Sequence, residues 1–117
     1  MLLPNALPAV IDEHKLREYL LSRTHPTGRF KAALFARLGY TPDRWRDLRS
    51  ELRTLAINAT AEPAESSAFG RKFLTHGTLR GLRGPSAAIT VVWIVLSDED
   101  RPRLVTVCPR QEWTLGH

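Results

Sequence analysis

Cysteine is almost missing from this chain: Cys108 is alone among 117 residues. A single thiol excludes an intrachain disulfide and any cysteine-based zinc cage. No apolar run approaches the ~18 residues of a membrane-spanning helix. The opening Met1-Leu2-Leu3-Pro4-Asn5-Ala6-Leu7-Pro8 has no charged leader and two prolines, so it does not read as a signal peptide. A cytoplasmic protein with no membrane partner is expected. The histidines His14, His25, His76 and His117 are scattered, and Asp98-Glu99-Asp100 are neighbours in a turn rather than spaced ligands. No glycine-rich phosphate loop of the nucleotide-binding kinds is present. No metal and no cofactor are therefore expected. Acidic residues are the minority, 12 against 17 basic ones, giving a net charge of +5 and an isoelectric point near 10.1. That balance suits a polyanion such as nucleic acid, or the acidic surface of another protein. Lysine is scarce as well, with Lys15, Lys31 and Lys72 the three exceptions to an arginine-dominated set.

What is present reads as helices first and strands afterwards, in one domain over residues 1–117: a helical half (1–56), an antiparallel sheet (57–109) and a tail (110–117). Asp12 caps a first helix through Ser22, with Leu16, Tyr19 and Leu20 on one side. A second helix opens at Thr27, carries Phe30, Leu34 and Leu38 at i, i+4, i+8, and stops at Gly39. Thr41 and Pro42 start a third, in which Trp45, Leu48, Leu52 and Leu55 form an apolar stripe and Arg46, Arg49 and Arg53 a solvated face. Ile57 to Glu62 alternates weakly as a strand, and Pro63 to Gly70 reads as a loop. Arg71 to Leu82 is a strand with Gly77 marking a bulge or a close backbone approach. Arg83-Gly84-Pro85-Ser86 is a turn, and Ala87 to Leu96, apolar on both faces, reads as a central strand covered on both sides. Arg101 to Cys108 is the last strand. The expected fold is α+β: three N-terminal helices packed on a twisted antiparallel meander of three to four strands.

One segment contradicts the helix it opens. The first helical turn exposes N–H groups and partial positive charge, so acidic residues belong there. Here it carries Arg29 and Lys31, with His25 just upstream. Each such cation costs roughly 0.3–1 kcal/mol unless something negative faces it, and a bound phosphate would reverse the sign. The other reading is that both side chains simply point into water.

The pattern Leu3-Pro4-Asn5, Lys15 to Leu21, His25-Pro26-x-Gly28-Arg29-x-Lys31-Ala32-x-x-Phe35, Gly70-x-Lys72-Phe73, Gly77-x-Leu79-x-Gly81, Val92 to Val95 and Pro102 to Thr106 resembles a bacterial domain-of-unknown-function family. That family recurs beside toxin–immunity genes and inside polymorphic toxins, and the resemblance covers nearly the whole chain. Its helices-then-meander order is similar to the barnase/EndoU/colicin-D/RelE-like ribonuclease superfamily. The resemblance implies a metal-independent endoribonuclease with RNA as substrate and a cognate inhibitor or antitoxin protein as partner. Members of that superfamily often end in a strand bearing Thr or Ser and then Tyr. Here Thr106 is present and Cys108 takes the Tyr-like place.

Such chemistry needs a base at the 2′-OH, an acid at the leaving 5′-oxygen and cations on the phosphate. The candidates for catalysis are His25, Lys31, Arg29, His76 and Thr106; for phosphate binding, Arg29, Lys31 and Arg103. Each has a plainer reading: His25 as a helix cap, His76 as a half-exposed strand histidine, Thr106 as β-branched packing. Strict alternation places Leu104, Thr106 and Cys108 on one face and Arg103 on the other, so Arg103 and Thr106 share a site only through a bulge or a reach round the strand edge. Cys108 has no histidine near it in sequence to activate it. Trp93 and Trp45 read as core, and Trp113 as a residue folding back over an edge or docking a partner. A ribonuclease-like toxin domain is the first expectation. A non-catalytic immunity or regulatory module holding an acidic partner is the second.

Overall fold

The stripe expected on the third helix is the one that builds the core. The computed structural model describes residues 1–26 and 28–110, with Phe30 as backbone only, so Thr27, Trp113 and His117 fall outside the described residues. Pro42–Arg44 forms a 3-10 turn leading into α3, Trp45–Asn58, on which Trp45, Leu48, Leu52, Leu55 and Ala56 are buried. Arg46 and Arg49 stack on the Trp45 ring at 4.5 and 4.7 Å. Arg53 is half-buried and does more than face water: it reaches back to Leu7 O (2.8 Å) and Ala9 O (3.0 Å) and ties down the N-terminal segment.

The other two helical stretches are shorter than expected. α1, Glu13–Lys15, is capped by Asp12 and continues as a π-helical turn over Leu16–Leu20. α2 is Arg29–Arg37, after which Gly39 takes a positive φ of 97°, the left-handed stop its sequence position suggests. The buried positions of α2 are Ala32 and Phe35, followed by Leu38, while Leu34 is half-buried. Of the expected row, Leu38 is thus in the core, Leu34 is at its margin, and the Phe30 side chain lies outside what is described.

Four strands follow: β1 Ala61–Ser67, β2 Gly70–Arg80, β3 Ser86–Leu96 and β4 Arg103–Pro109, paired antiparallel in chain order. The fold is α+β, one long helix and two short helical stretches on a four-stranded meander. The first strand departs from expectation. α3 runs on through Asn58, and Pro63 to Ser67, expected as loop, belongs to β1. β1 is an edge strand exposed along most of its length, so it carries no apolar alternation, and an edge tolerates Pro63. Gly77 makes no bulge, since β2 and β3 pair without a break from Gly70 to Arg80. It is a close approach instead: a Cβ there would lie 2.9 Å from Leu55.

The sheet buries one face. Phe73, Leu79, Ile89, Val91, Trp93, Val95, Leu104 and Val107 lie against the helices, with Thr75 accepting from Trp93 Nε1 at 3.0 Å. On the opposite face Thr90, Val92, Ile94 and Leu96 are only half-buried, so β3 is not covered on both sides as its apolar run suggests. This open face carries the candidate site.

Candidate functional site

Three local departures from regular structure bring the site together. The π-helical turn widens the helix at Tyr19 and turns its hydroxyl toward β4 instead of the helical core. Gly28 lets the start of α2 close on that turn, because any Cβ there would land on the Tyr19 carbonyl. The third is a bulge in β4. Val92 faces Thr106 and Trp93 faces Leu104, leaving Val105 as an extra residue. Thr106, Cys108 and Arg103 therefore share the open face while Leu104 and Val107 face the core. Strict alternation had put Leu104 with Thr106, and the bulge overturns that.

Lys31 is the centre. Its Nζ donates to Thr106 Oγ1 at 2.5 Å and to Tyr19 OH at 3.2 Å, and lies 3.8 Å from Cys108 Sγ. Tyr19 OH and Thr106 Oγ1 are themselves 3.3 Å apart. These partners are hydroxyls and a thiol; among the described residues no carboxylate pairs with Lys31. The Thr106 hydrogen bond and then the Lys31 ammonium hold the Tyr19 phenol below its ordinary range, against desolvation that pushes it up. Lys15 Nζ donates to Val105 O at 3.1 Å and fixes the bulge from the outside.

His25 adjoins this group. Its ring meets Tyr19 edge-on with centroids 5.0 Å apart, and its Nδ1 accepts the Gly28 N–H at 3.0 Å. That bond makes His25 a cap of the α2 turn and, in the neutral ring, puts the proton on Nε2. Arg29 begins α2 and is exposed, its N–H bonded to His25 O at 3.1 Å. Since the Gly28, Arg29 and Lys31 N–H groups all have acceptors in this turn, its positive character comes from side chains more than from open N–H groups.

His76 lies across the sheet. Its Nδ1 is 2.8 Å from Thr90 Oγ1 and its Nε2 3.1 Å from Glu62 Oε1. Thr90 stands opposite Cys108 in the ladder, so His76, Thr90, Cys108 and Lys31 form one row over the open face. Arg103 is on that face but engaged, with Nε and Nη2 each 2.6 Å from the Glu99 carboxylate. The structure thus brings His25, Lys31 and Thr106 together, joins His76 through the ladder, and leaves Arg103 held elsewhere. Tyr19 and Cys108 are the additions. Tyr19 reads as an apolar member of a helical stripe, and only the π turn shows otherwise.

Among the described residues no group of three or more His, Cys, Asp and Glu side chains could hold a metal ion, and no helix is long and apolar enough to cross a membrane. A chain in the solved contact-dependent growth inhibition toxin–immunity protein complex from Klebsiella pneumoniae 342 has this fold. The TM-score is 0.69 over 92% of this chain and 97% of that one, at 17% identity. At that identity the likeness shows the fold alone. No curated protein sequence matches the chain. A family described as a domain of unknown function, DUF6883, matches residues 2–111.

Proposed function

We propose that this chain, which belongs to the DUF6883 family, is a metal-independent endoribonuclease-like toxin domain. The observation that carries the reading is Lys31: an ammonium on the sheet face, held by Tyr19, Thr106 and Cys108 and paired with no carboxylate among the described residues. Such a cation suits a phosphate and the charge that develops on it. In the proposed reaction a base removes the 2′-OH proton, the oxygen attacks the adjacent phosphorus, and the 5′-oxygen leaves with a proton from an acid. The products are a 2′,3′-cyclic phosphate and a 5′-hydroxyl. Lys31 and Arg29 take the phosphate and Thr106 orients it; the Tyr19 phenolate, favoured by Thr106 and Lys31, removes the 2′-OH proton, and a protonated His25, releasing the Gly28 N–H, gives its Nε2 proton to the leaving 5′-oxygen. His76, backed by Glu62, meets the chain farther along the row, and Arg103 contributes only if Glu99 releases it.

A second reading, an immunity or regulatory module, draws on the half-exposed Val92, Ile94 and Leu96 of the open face, a surface that also suits a protein partner. The neighbouring fold comes from a toxin–immunity complex, consistent with either role and with a cognate inhibitor as partner.

Purified chain incubated with RNA in EDTA tests the first reading. Cleavage should persist under chelation. Lys31→Gln should lower it by roughly 10²–10³-fold, the usual worth of one charge-stabilising group. His25→Ala should lower it by about 10²–10⁴-fold, with the fold kept and melting lowered by no more than the lost Gly28 cap, about 0.5–2 kcal/mol. No cleavage by the parent, or full cleavage in Lys31→Gln, moves the assignment to the binding module.

A further inference from the structure

Two of the chain's three lysines end on neighbouring residues of β4. Lys31 comes from α2 to the Thr106 hydroxyl, and Lys15, the last residue of α1, donates to the Val105 carbonyl at 3.1 Å. Val105 is the extra residue of the bulge and has no partner on β3, so the ladder that steadies its neighbours does not hold it. On the outer side Val10 O takes the Leu104 N–H, one residue short of it. A carbonyl displaced from its ladder needs a donor, and the half-buried Lys15 ammonium supplies a charged one.

Lys15 also leads directly into the π turn, whose Leu16 and Leu20 are fully buried and whose Leu16 carbonyl is closed by the Leu21 N–H at 2.8 Å. The turn is thus fixed in the core, and the half-buried Tyr19 packs at the core's margin. Among the described residues two side-chain hydrogen bonds join residues 13–20 to β4, Lys15 to Val105 O and Tyr19 to Thr106. The second is long at 3.3 Å and lies one residue along from the first. A displacement of the bulge by a few tenths of an ångström would keep the fold, since Leu104 and Val107 hold β4 to the core, yet would break the Tyr19 contact.

We infer that Lys15 is a positioning residue of the proposed site: its bond to Val105 O holds the bulge where the Thr106 hydroxyl meets Tyr19, without itself meeting RNA. For cleavage this rests on the ribonuclease reading; for Tyr19 it is read without RNA. Tyr19 is faced by Thr106 and Cys108 from β4, by Lys31 from α2 and by the edge of the His25 ring. With Thr106 displaced, the largest influence lowering the phenol is gone. Desolvation and Cys108, which raise it, remain, and Lys31 alone opposes them. The phenol therefore moves up. As the proposed base it then keeps its proton over more of the neutral range, and cleavage needs a higher pH.

The experiment compares the full chain with Lys15→Met, which keeps the stem and removes the donor, and Lys15→Arg, which keeps a charged donor. Phenolate absorbance is titrated in each, with Tyr40 as the internal reference. In Lys15→Met the Tyr19 step should move up while the Tyr40 step stays. In the same variant kcat at neutral pH should fall by about tenfold or more with KM within about twofold, and the acid limb of the kcat profile should move to higher pH. Lys15→Arg should keep both near the parent. Lys15→Gln, one atom short of Val105 O, takes the place of the methionine variant if that one does not fold. An unmoved Tyr19 step in a folded variant overturns the inference. A raised KM with kcat unchanged also overturns it, because Lys15 then binds RNA itself. If the parent cleaves no RNA the ribonuclease reading falls, and the Tyr19 step alone decides for or against Lys15.

Discussion

The chain has two tyrosines, Tyr19 and Tyr40, and their hydroxyls meet opposite surroundings. Tyr40 is 1% exposed and donates to Arg80 O, and burial, with Glu51 and Asp47 adding to it, pushes its phenol up to about 12. Tyr19 is lowered by Thr106 and Lys31. Phenolate absorbance should therefore rise in two separated steps, Tyr19 below the ordinary value of about 10 and Tyr40 near 12. The signs for stability differ. A raised phenol keeps its contribution in full below pH 10 and loses it as pH climbs toward about 12. A lowered one contributes above pH 10 and loses that contribution as pH falls through its folded pKa. Tyr40→Phe should remove the upper step and its share of the alkaline loss of stability. A single merged step near 10 would contradict both assignments. At this scale the nearness of Lys31 and His25 to one candidate site is legible, because a cationic helix start is an anomaly visible in the sequence. Tyr19 was not, since a tyrosine at helical spacing counts as apolar until a π turn rotates it out.

Among the elements, α3 and the meander are legible in the sequence, because a stripe from Trp45 to Leu55 and turns at Arg83–Ser86 and Ser97–Asp100 are local signals. β1 is not: its edge position strips it of the alternation that marks a half-buried strand. The β4 bulge is equally silent in sequence, yet it decides which side chains share a face. Deleting Val105 tests what the bulge is for. Leu104 would still face Trp93 and Thr106 would still face Val92, so the core pairing survives. The kink and the Lys15 bond to Val105 O are lost, and Thr106 moves relative to Lys31. Because the Thr106 hydrogen bond is the largest influence lowering Tyr19, the variant should melt near the parent while its Tyr19 step moves up toward the ordinary value and the Tyr40 step stays. RNA cleavage should fall with it. An unmoved Tyr19 step would show that the bulge does not set the site.

For the whole molecule the net charge of +5 is the property most directly read from composition and the least specific. Many of the basic side chains have partners: Arg17, Arg44 and Arg103 pair with carboxylates, Arg53 is tied to the N-terminal segment, and Arg46 and Arg49 lie on Trp45. Among the described residues Lys31 is paired with no carboxylate, which sets the proposed phosphate site apart from a diffuse basic surface. Salt dependence distinguishes them. Each phosphate neutralised on a single strand releases counterions and contributes about −0.7 to the slope of log K against log salt. If Arg29 and Lys31 each take a phosphate charge, replacing both with Gln should make the slope shallower by about 1.4 and weaken binding most at low salt. The measurement is fluorescence anisotropy of a short single-stranded RNA over a salt series, with Arg46→Gln/Arg49→Gln, which removes the same formal charge from the α3 face, as control. If the two double variants change the slope equally, RNA meets the protein as a uniformly basic body and the Lys31 cluster has no special claim on it. If the parent shows no salt-dependent RNA binding while an acidic protein does bind, the charge serves a protein interface and the immunity reading takes precedence. A slope reduced only in the Arg29/Lys31 variant places the phosphate on the sheet face where Lys31 meets Tyr19 and Thr106.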